Sequence, residues 1–331
     1  MYLAGDIGGT KTNLGLFANV GNELVLQYET SFPSRAYTGL ETIVTEFIGQ
    51  LREKGHDTAI AGACMGVAGA VQDGECVATN LPWVISAHSL GRTLGLPRVA
   101  LLNDLEITAH GIGELKPHEM VTLNQGQAVP GNTGLIAAGT GLGVGCLFWD
   151  GQKLIPSASE GGHVDFAPRN QMEIGLLQFL LRQHDHVSVE RIVSGMGMPS
   201  IYQYLVETGF ADEMPEIRAR LATQDNASVI SQAALAGECH ICVKALDLFV
   251  EIYGATAGNL ALTIKALGGV FIGGGIAPKI IDKMRDGTFM GAFLDKGRFT
   301  SLLAGIPVKV ILNDKTALRG AARVAVNSAA R

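Results

Sequence analysis

The sequence predicts an α/β protein of two similarly built lobes, each a mixed sheet that opens on a glycine-rich turn. Three observations predict it. Short strand-like apolar runs alternate with helical patterns along the 331 residues. Glycine supplies 43 of them, nearly double the usual share of about 7%, clustered at 5–9, 139–145, 161–162 and 268–275, as where backbone must come close to something. Finally, LGLFANVGNELVLQ near the start has the same strand-turn-strand plan as VGCLFWDGQKLIPS after Pro130.

Taken in order, the chain opens with a strand, a glycine turn, a strand (TNLGLFAN), a turn at Asn19–Asn22 and a strand (ELVLQYET). A helix follows from Gly39 to about Lys54, because Leu40, Ile43, Val44, Phe47, Ile48 and Leu51 recur at helical spacing. AIAGACMGVAGAV is a buried strand ending in glycines, and LLNDLE places Asn103 and Asp104 at the end of another. After Pro130, TGLIAAGTGLGVGCLFWDGQKLIPSAS repeats the opening plan. Helices follow near 171–185 and 195–208, then a polar stretch from Asp212 to Asn226 and a long helix after Gly237. GGVFIGGGIAPK is a short apolar strand running into three glycines, and NDKTALRGAARVAVNSAA is a final helix that crosses back to the first lobe. The expected lobes are 1–107, joined by the helix at about 314–328, and 108–313. No low-complexity linker divides them, so the hinge must be tight.

Composition narrows the function. With 47% apolar and 17% charged residues the chain is a folded globule. A net charge of −6 without a basic block argues against nucleic acid as a partner. The opening MYLAGD has no basic leader, and no apolar run reaches about 18 residues; a cytoplasmic protein without membrane partners is expected. Five scattered cysteines make no disulfide framework. Cys239-His-Ile-Cys242 has zinc-ligand spacing, but a structural zinc needs four ligands and no second pair exists, so the two read as small residues of a buried helix.

The stretch GDIGGTKT, Gly5–Thr12, almost spells a phosphate-binding P-loop, except that Thr10 stands where the second glycine belongs. It also carries Asp6, a carboxylate that repels phosphate unless a cation sits between them. Gly139, Gly141 and Gly143 miss the dinucleotide spacing, and Gly274 and Gly275 lack a third partner. Two hairpins tipped with Thr10 and Thr140 suit a triphosphate gripped through N–H donors. Asp6 then holds Mg²⁺, directly or through water, against the β- and γ-phosphates.

These loops resemble those of bacterial glucokinases, within the hexokinase, actin and heat-shock chaperone ATPase superfamily. GDIGGT, with Gly5, Asp6, Ile7, Gly8, Gly9 and Thr10, is similar to the first phosphate loop. AAGTGLGVG, with Gly139, Thr140 and Gly141, resembles the second, and GGVFIGGGI, with Gly274 and Gly275, the adenosine loop. The resemblance runs from residue 1 to about 320. It implies a ribonuclease-H-like fold with five-stranded mixed sheets and an interlobe cleft that closes on sugar, ATP and Mg²⁺ as cofactors, and a homodimer.

A hexose is small, neutral and covered in hydroxyls, which suits carboxylates, an amide and an imidazole. Asn103 and Asp104 in LLNDLE, Glu160 and His163 in SASEGGHVDFAP, and Glu190 in SVERIVSG supply them. In the glucokinases that the sequence resembles, those five residues line the sugar site, and the aspartate takes the proton of the 6-hydroxyl. Read without the resemblance, Asp104 is also a helix N-cap, Glu190 a helix-start carboxylate, and Glu160 and His163 a metal pair, although Gly161-Gly162 argues for a loop. HVDFAPRNQ has no cysteine after His163, unlike the zinc-binding repressor and sugar-kinase group, and there is no N-terminal helix-turn-helix. The resemblance implies ATP-dependent phosphorylation of glucose. The rival readings are a sugar-responsive regulatory protein, or a kinase for mannose or an amino sugar. Lys11 has no assigned role.

Overall fold

A computed structural model describes residues 1–78, 80–157 and 159–330. The chain forms two compact units, 1–117 with 313–331, and 118–312.

In the first unit, strands β1 (Tyr2–Ile7), β2 (Lys11–Val20) and β3 (Glu23–Pro33) run antiparallel. Helix α1 (Leu40–Glu53) follows. Strand β4 (Gly62–Val67) then lies parallel to β1. A small antiparallel sheet, β5 (Val71–Gln72), β6 (Glu75–Val77) and β7 (Val84–Ser86), and helix α2 (Ala87–Leu94) lead to β8 (Ala100–Asn103), parallel to β4, and α3 (Asp104–Gly111). The main sheet is ordered β3-β2-β1-β4-β8. The apolar stripe of α1, namely Leu40, Ile43, Val44, Phe47 and Leu51, is buried with Leu3, Ile7, Leu14 and Leu16 in one core.

The second unit repeats the plan. Strands β9 (Met120–Asn124), β10 (Thr133–Ala138), β11 (Leu142–Trp149) and β12 (Leu154–Ser157) precede helices α4 (Gln171–Leu181), α5 (Gly197–Glu207), α6 (Pro215–Leu221), α7 (Asn226–Leu235) and α8 (His240–Thr263). Strand β13 (Gly269–Gly273), helices α9 (Ile281–Arg285), α10 (Thr288–Leu294) and α11 (Thr300–Ala304), and strand β14 (Val308–Ile311) complete it. The sheet order is β12-β11-β10-β13-β14-β9. Five of these strands match the first sheet in order and direction; the sixth, β9, corrects the expectation of five by pairing antiparallel to β14.

Three further differences have physical causes. The polar stretch after Asp212 contains α6, which starts with Pro215 at its first turn, where a missing N–H costs nothing. Cys239 is the N-cap of α8, its sulfur accepting from the Cys242 amide at 3.4 Å, and both residues are buried. Residues 108–117 pack in the first unit, where α3 crosses the last helix, α12 (Thr316–Ala329). That crossing is too close for side chains: a Cβ on Gly320 would lie 1.7 Å from the Ile107 carbonyl, and one on Gly111 2.0 Å from that of Thr316. Helix α12 buries Leu318, Ala321, Ala322 and Ala325 with Ala4 and Cys64 of the sheet.

Candidate active site

In the first unit the polar residues gather at the carboxyl ends of the parallel strands, where open α/β sheets bind their ligands. Asp6 is the penultimate residue of β1, paired in register with Asn13 of β2. Asn103 ends β8 and Asp104 begins α3. The Asp6 carboxyl is pushed up to about 6, first by burial, then by the negative charge of Asp104, against a lowering hydrogen bond from Asn13. It lines a polar pocket of about 260 Å³ together with Asn13, Thr30, Ser31, Asp314 and Lys315. Among the described residues no group of three or more histidine, cysteine, aspartate or glutamate side chains is placed to hold a metal ion, so a cation here would need ligands from phosphate or water beside Asp6.

The helix start settles which residue caps. Asn103 Oδ1 accepts from the Leu105 amide at 2.8 Å, and its Nδ2 donates to the Gly69 carbonyl at 3.1 Å. Asp104 Oδ1 also accepts from Leu105, at 2.8 Å. Asn103 is therefore the N-cap, and the reading of Asp104 as the cap is corrected.

The loop after β1 turns through Gly8, Gly9 and the exposed Thr10, with Gly8 N–H donating to the Lys11 carbonyl at 2.9 Å. Lys11 is exposed. Gly5 and Ile7 lie in the buried strand: a Cβ on Gly5 would meet Met65 Sδ at 2.4 Å, and Ile7 is a core residue. Of this motif, then, only Asp6 and Gly8–Thr10 stand outside the core. Sequence reasoning missed Ser34, which lies buried beneath the loop, and Asn13, although a tight hairpin after Ile7 already implied that Asn13 faces Asp6.

The second unit brings its predicted residues together around the β10–β11 hairpin. Gly139 N–H donates to the Gly141 carbonyl at 2.8 Å, and the Gly139 carbonyl accepts from Gly195 at 2.8 Å. Glu190 Oε2 accepts from the Leu142 amide at 2.8 Å and occupies the space that a Cβ on Gly141 would need, 2.4 Å away. The other oxygen of Glu190 lies 3.9 Å from His163 Nδ1. Hydrogen bonds from Val189 to Val164 and from Phe166 to Val187 fix that pairing.

Glu160 and His163 bracket a short 3₁₀ turn, and both are exposed. Gly161 and Gly162 let this turn lie on β11, since a Cβ on Gly162 would sit 1.9 Å from the Leu142 carbonyl. Glu160 and His163 are thus on a loop, as the two glycines suggested, rather than on one face of a helix.

Gly274 has φ +81°, and a Cβ there would fall 2.2 Å from the Ala138 carbonyl, so the turn after β13 lies against the residue preceding Gly139. Gly275 faces open space. Behind both turns the buried Tyr253 hydroxyl accepts from the Ala138 amide at 3.2 Å and lies 3.3 and 3.4 Å from the Ile136 and Gly273 carbonyls. Nothing in the α8 sequence distinguishes Tyr253 from its apolar neighbours as a polar tie.

Comparison with known proteins gives the family and the fold. A family model described as Glucokinase matches residues 3–328. The chain is 41% identical over 337 residues to a glucokinase of Nostoc sp. strain PCC 7120, covering 97% of this chain and 98% of the relative. It is 38% identical to one of Synechocystis sp. strain PCC 6803, covering 99% and 98%. The crystal structure of a glucokinase from an Antarctic psychrotroph superposes with a TM-score of 0.85 at 30% identity, covering 98% of each chain. A ROK family glucokinase from Streptomyces griseus, solved with glucose and AMPPNP, shares the fold at a TM-score of 0.64 and 22% identity, covering 98% and 99%.

Proposed function

The chain belongs to the glucokinase family, and on that premise we propose that it transfers the γ-phosphoryl group of ATP to the 6-hydroxyl of glucose. The observation that carries the mechanism is the division of labour at the start of α3. Asn103 caps the helix, and Asp104 Oδ1 only doubles the acceptor on the same Leu105 amide, so the cap does not depend on the Asp104 charge. Asp104 is then the base: it orients the 6-hydroxyl and accepts its proton as the oxygen attacks phosphorus in line with the departing ADP.

Asn103, Glu160, His163 and Glu190 recognise the sugar. Carboxylates accept from vicinal hydroxyls in charge-assisted bonds about twice as strong as neutral ones. The Gly8–Thr10 and Gly139–Gly141 turns offer backbone donors to the phosphates, and Gly274 and Gly275 leave room for the nucleoside. Asp6 would hold Mg²⁺, which when bound offsets the charge of the β- and γ-phosphates.

A coupled assay of the purified protein with ATP and Mg²⁺ against glucose, mannose and amino sugars tests the reading. Glucose should give the highest kcat/KM. Calorimetric glucose binding without turnover would instead favour a sugar-responsive binding protein on the same fold. The same reading makes the enzyme a cytoplasmic homodimer, checked for assembly by sedimentation equilibrium.

A further inference from the structure

The Gly8–Thr10 turn is held by residues from outside it. Ser34 Oγ donates to the Gly8 carbonyl at 2.8 Å, and the Ser34 amide donates to the Thr10 carbonyl at 3.0 Å. Thr12 Oγ1 lies 3.0 Å from Ser34 Oγ, and both side chains are fully buried. A hydroxyl has one proton. Since Ser34 gives its own to Gly8, Thr12 must donate to Ser34, and the order of the chain is Thr12 to Ser34 to Gly8.

The Gly8–Gly9 peptide is trans, like every peptide bond of the described residues. Its carbonyl and its N–H therefore point in opposite directions. Once the Gly8 oxygen is drawn onto Ser34, the Gly9 amide faces the other way, and neither Gly9 nor Thr10 spends its amide on another described residue. Turning a carbonyl away and an amide outward is what an anion requires of a loop.

We propose that Ser34, supported by Thr12, is a positioning residue for nucleotide: it fixes the peptide plane that aims the Gly9 amide at phosphate. The proposal rests on the reading of Gly8–Thr10 as a phosphate loop, and it holds whichever sugar is the acceptor.

The test compares S34A, T12V and the double variant by three measurements: calorimetric binding of AMPPNP with Mg²⁺, calorimetric binding of glucose, and thermal unfolding. S34A strands a buried carbonyl and frees the peptide plane, so AMPPNP affinity should fall about tenfold, with glucose affinity within about twofold of wild type. T12V removes only the outer link and should cost about threefold. In the double variant the Thr12 hydroxyl, left without its acceptor by S34A, is gone. The midpoint of unfolding should therefore recover part of what S34A lost, while nucleotide affinity stays low.

Wild-type nucleotide affinity in S34A, at whatever melting temperature, would reduce Ser34 to a structural residue and overturn the proposal. If S34A fails to fold, T12V decides: unchanged AMPPNP affinity there overturns it equally. Absence of AMPPNP binding in the wild type would sink the nucleotide reading itself, and nucleotide binding without sugar turnover would sink only the choice of acceptor.

Discussion

The two glycine hairpins follow equivalent strands of equivalent sheets, yet they are held in place by different chemistry. The first is tied down by Ser34 and Thr12, buried hydroxyls that no ligand reaches. The second is tied by Tyr253 from behind and, at its tip, by Glu190, a carboxylate also assigned to sugar. A duplicated framework has thus kept the turn and changed the anchor. On the proposed reading, the first hairpin is a fixed cradle and the proposed base, Asp104, is no part of its anchor. In the second, the side chain that holds the turn is also one proposed to bind sugar.

The largest expected effect tests the first half of that contrast. Asp104→Asn keeps the shape and one hydrogen bond but cannot accept a proton, so kcat should fall by at least about a hundredfold. Glucose binding by calorimetry should persist, and because Asn103 remains the cap, the melting temperature should hold. Near-normal turnover would remove Asp104 from the chemistry.

The burial of Asp6, and then its neighbour Asp104, in the same unit gives the next effect. Asp6 has a folded pKa of about 6 against an ordinary 3.8. A raised carboxyl pKa means that the folded state binds the proton more tightly, so ionised Asp6 costs stability above about pH 6. That cost is relieved as the pH falls towards 4. In metal-free protein, Asp6→Asn should stabilise the fold at pH 8 by roughly 2 kcal/mol and add nothing near pH 4. Denaturant titrations at both values would show it; an equal effect at both would mean that burial and Asp104 do not perturb Asp6.

The third prediction sharpens the second half of the comparison. Glu190→Gln weakens both the contact with sugar and the bond to the Leu142 amide. It should raise the KM of glucose and of ATP together, each by about tenfold. Glu160→Gln, in a turn that makes no bond to Gly139–Gly141 among the described residues, should raise only the glucose KM. Steady-state kinetics with each substrate varied decides: an unchanged ATP KM in the Glu190 variant would dissolve the distinction between the two hairpins.

Much of this was legible in the sequence because it follows from local pattern. The repeated strand-turn-strand opening yielded both sheets, and helix periodicity placed α1, α8 and α12. The polar residues of the site were recognisable as types at strand ends and glycine turns. What the sequence could not disclose were long-range ties between ordinary residues. Ser34 sits 26 positions from the carbonyl it binds and Tyr253 115 from its amide, and both stand in unremarkable surroundings. Glu190 was read as a candidate sugar ligand, but its hold on Leu142 depends on tertiary packing that no local pattern encodes. The edge strand β9 was missed for a related reason, since a short strand separated from its partner by most of the unit has no neighbouring hairpin to announce it.

The way α12 closes the first unit bears on how the protein is made. One face of that unit's sheet is covered by Leu318, Ala321, Ala322 and Ala325, and on a ribosome these residues appear only after the whole of 118–312 has been synthesised. Domains generally mature as units in order of synthesis, but here the earlier half must wait with Ala4 and Cys64 uncovered while the later one completes its own core. The nascent chain therefore passes through a stage with a finished insert and an open amino-terminal sheet, the interval in which a chaperone would find this protein.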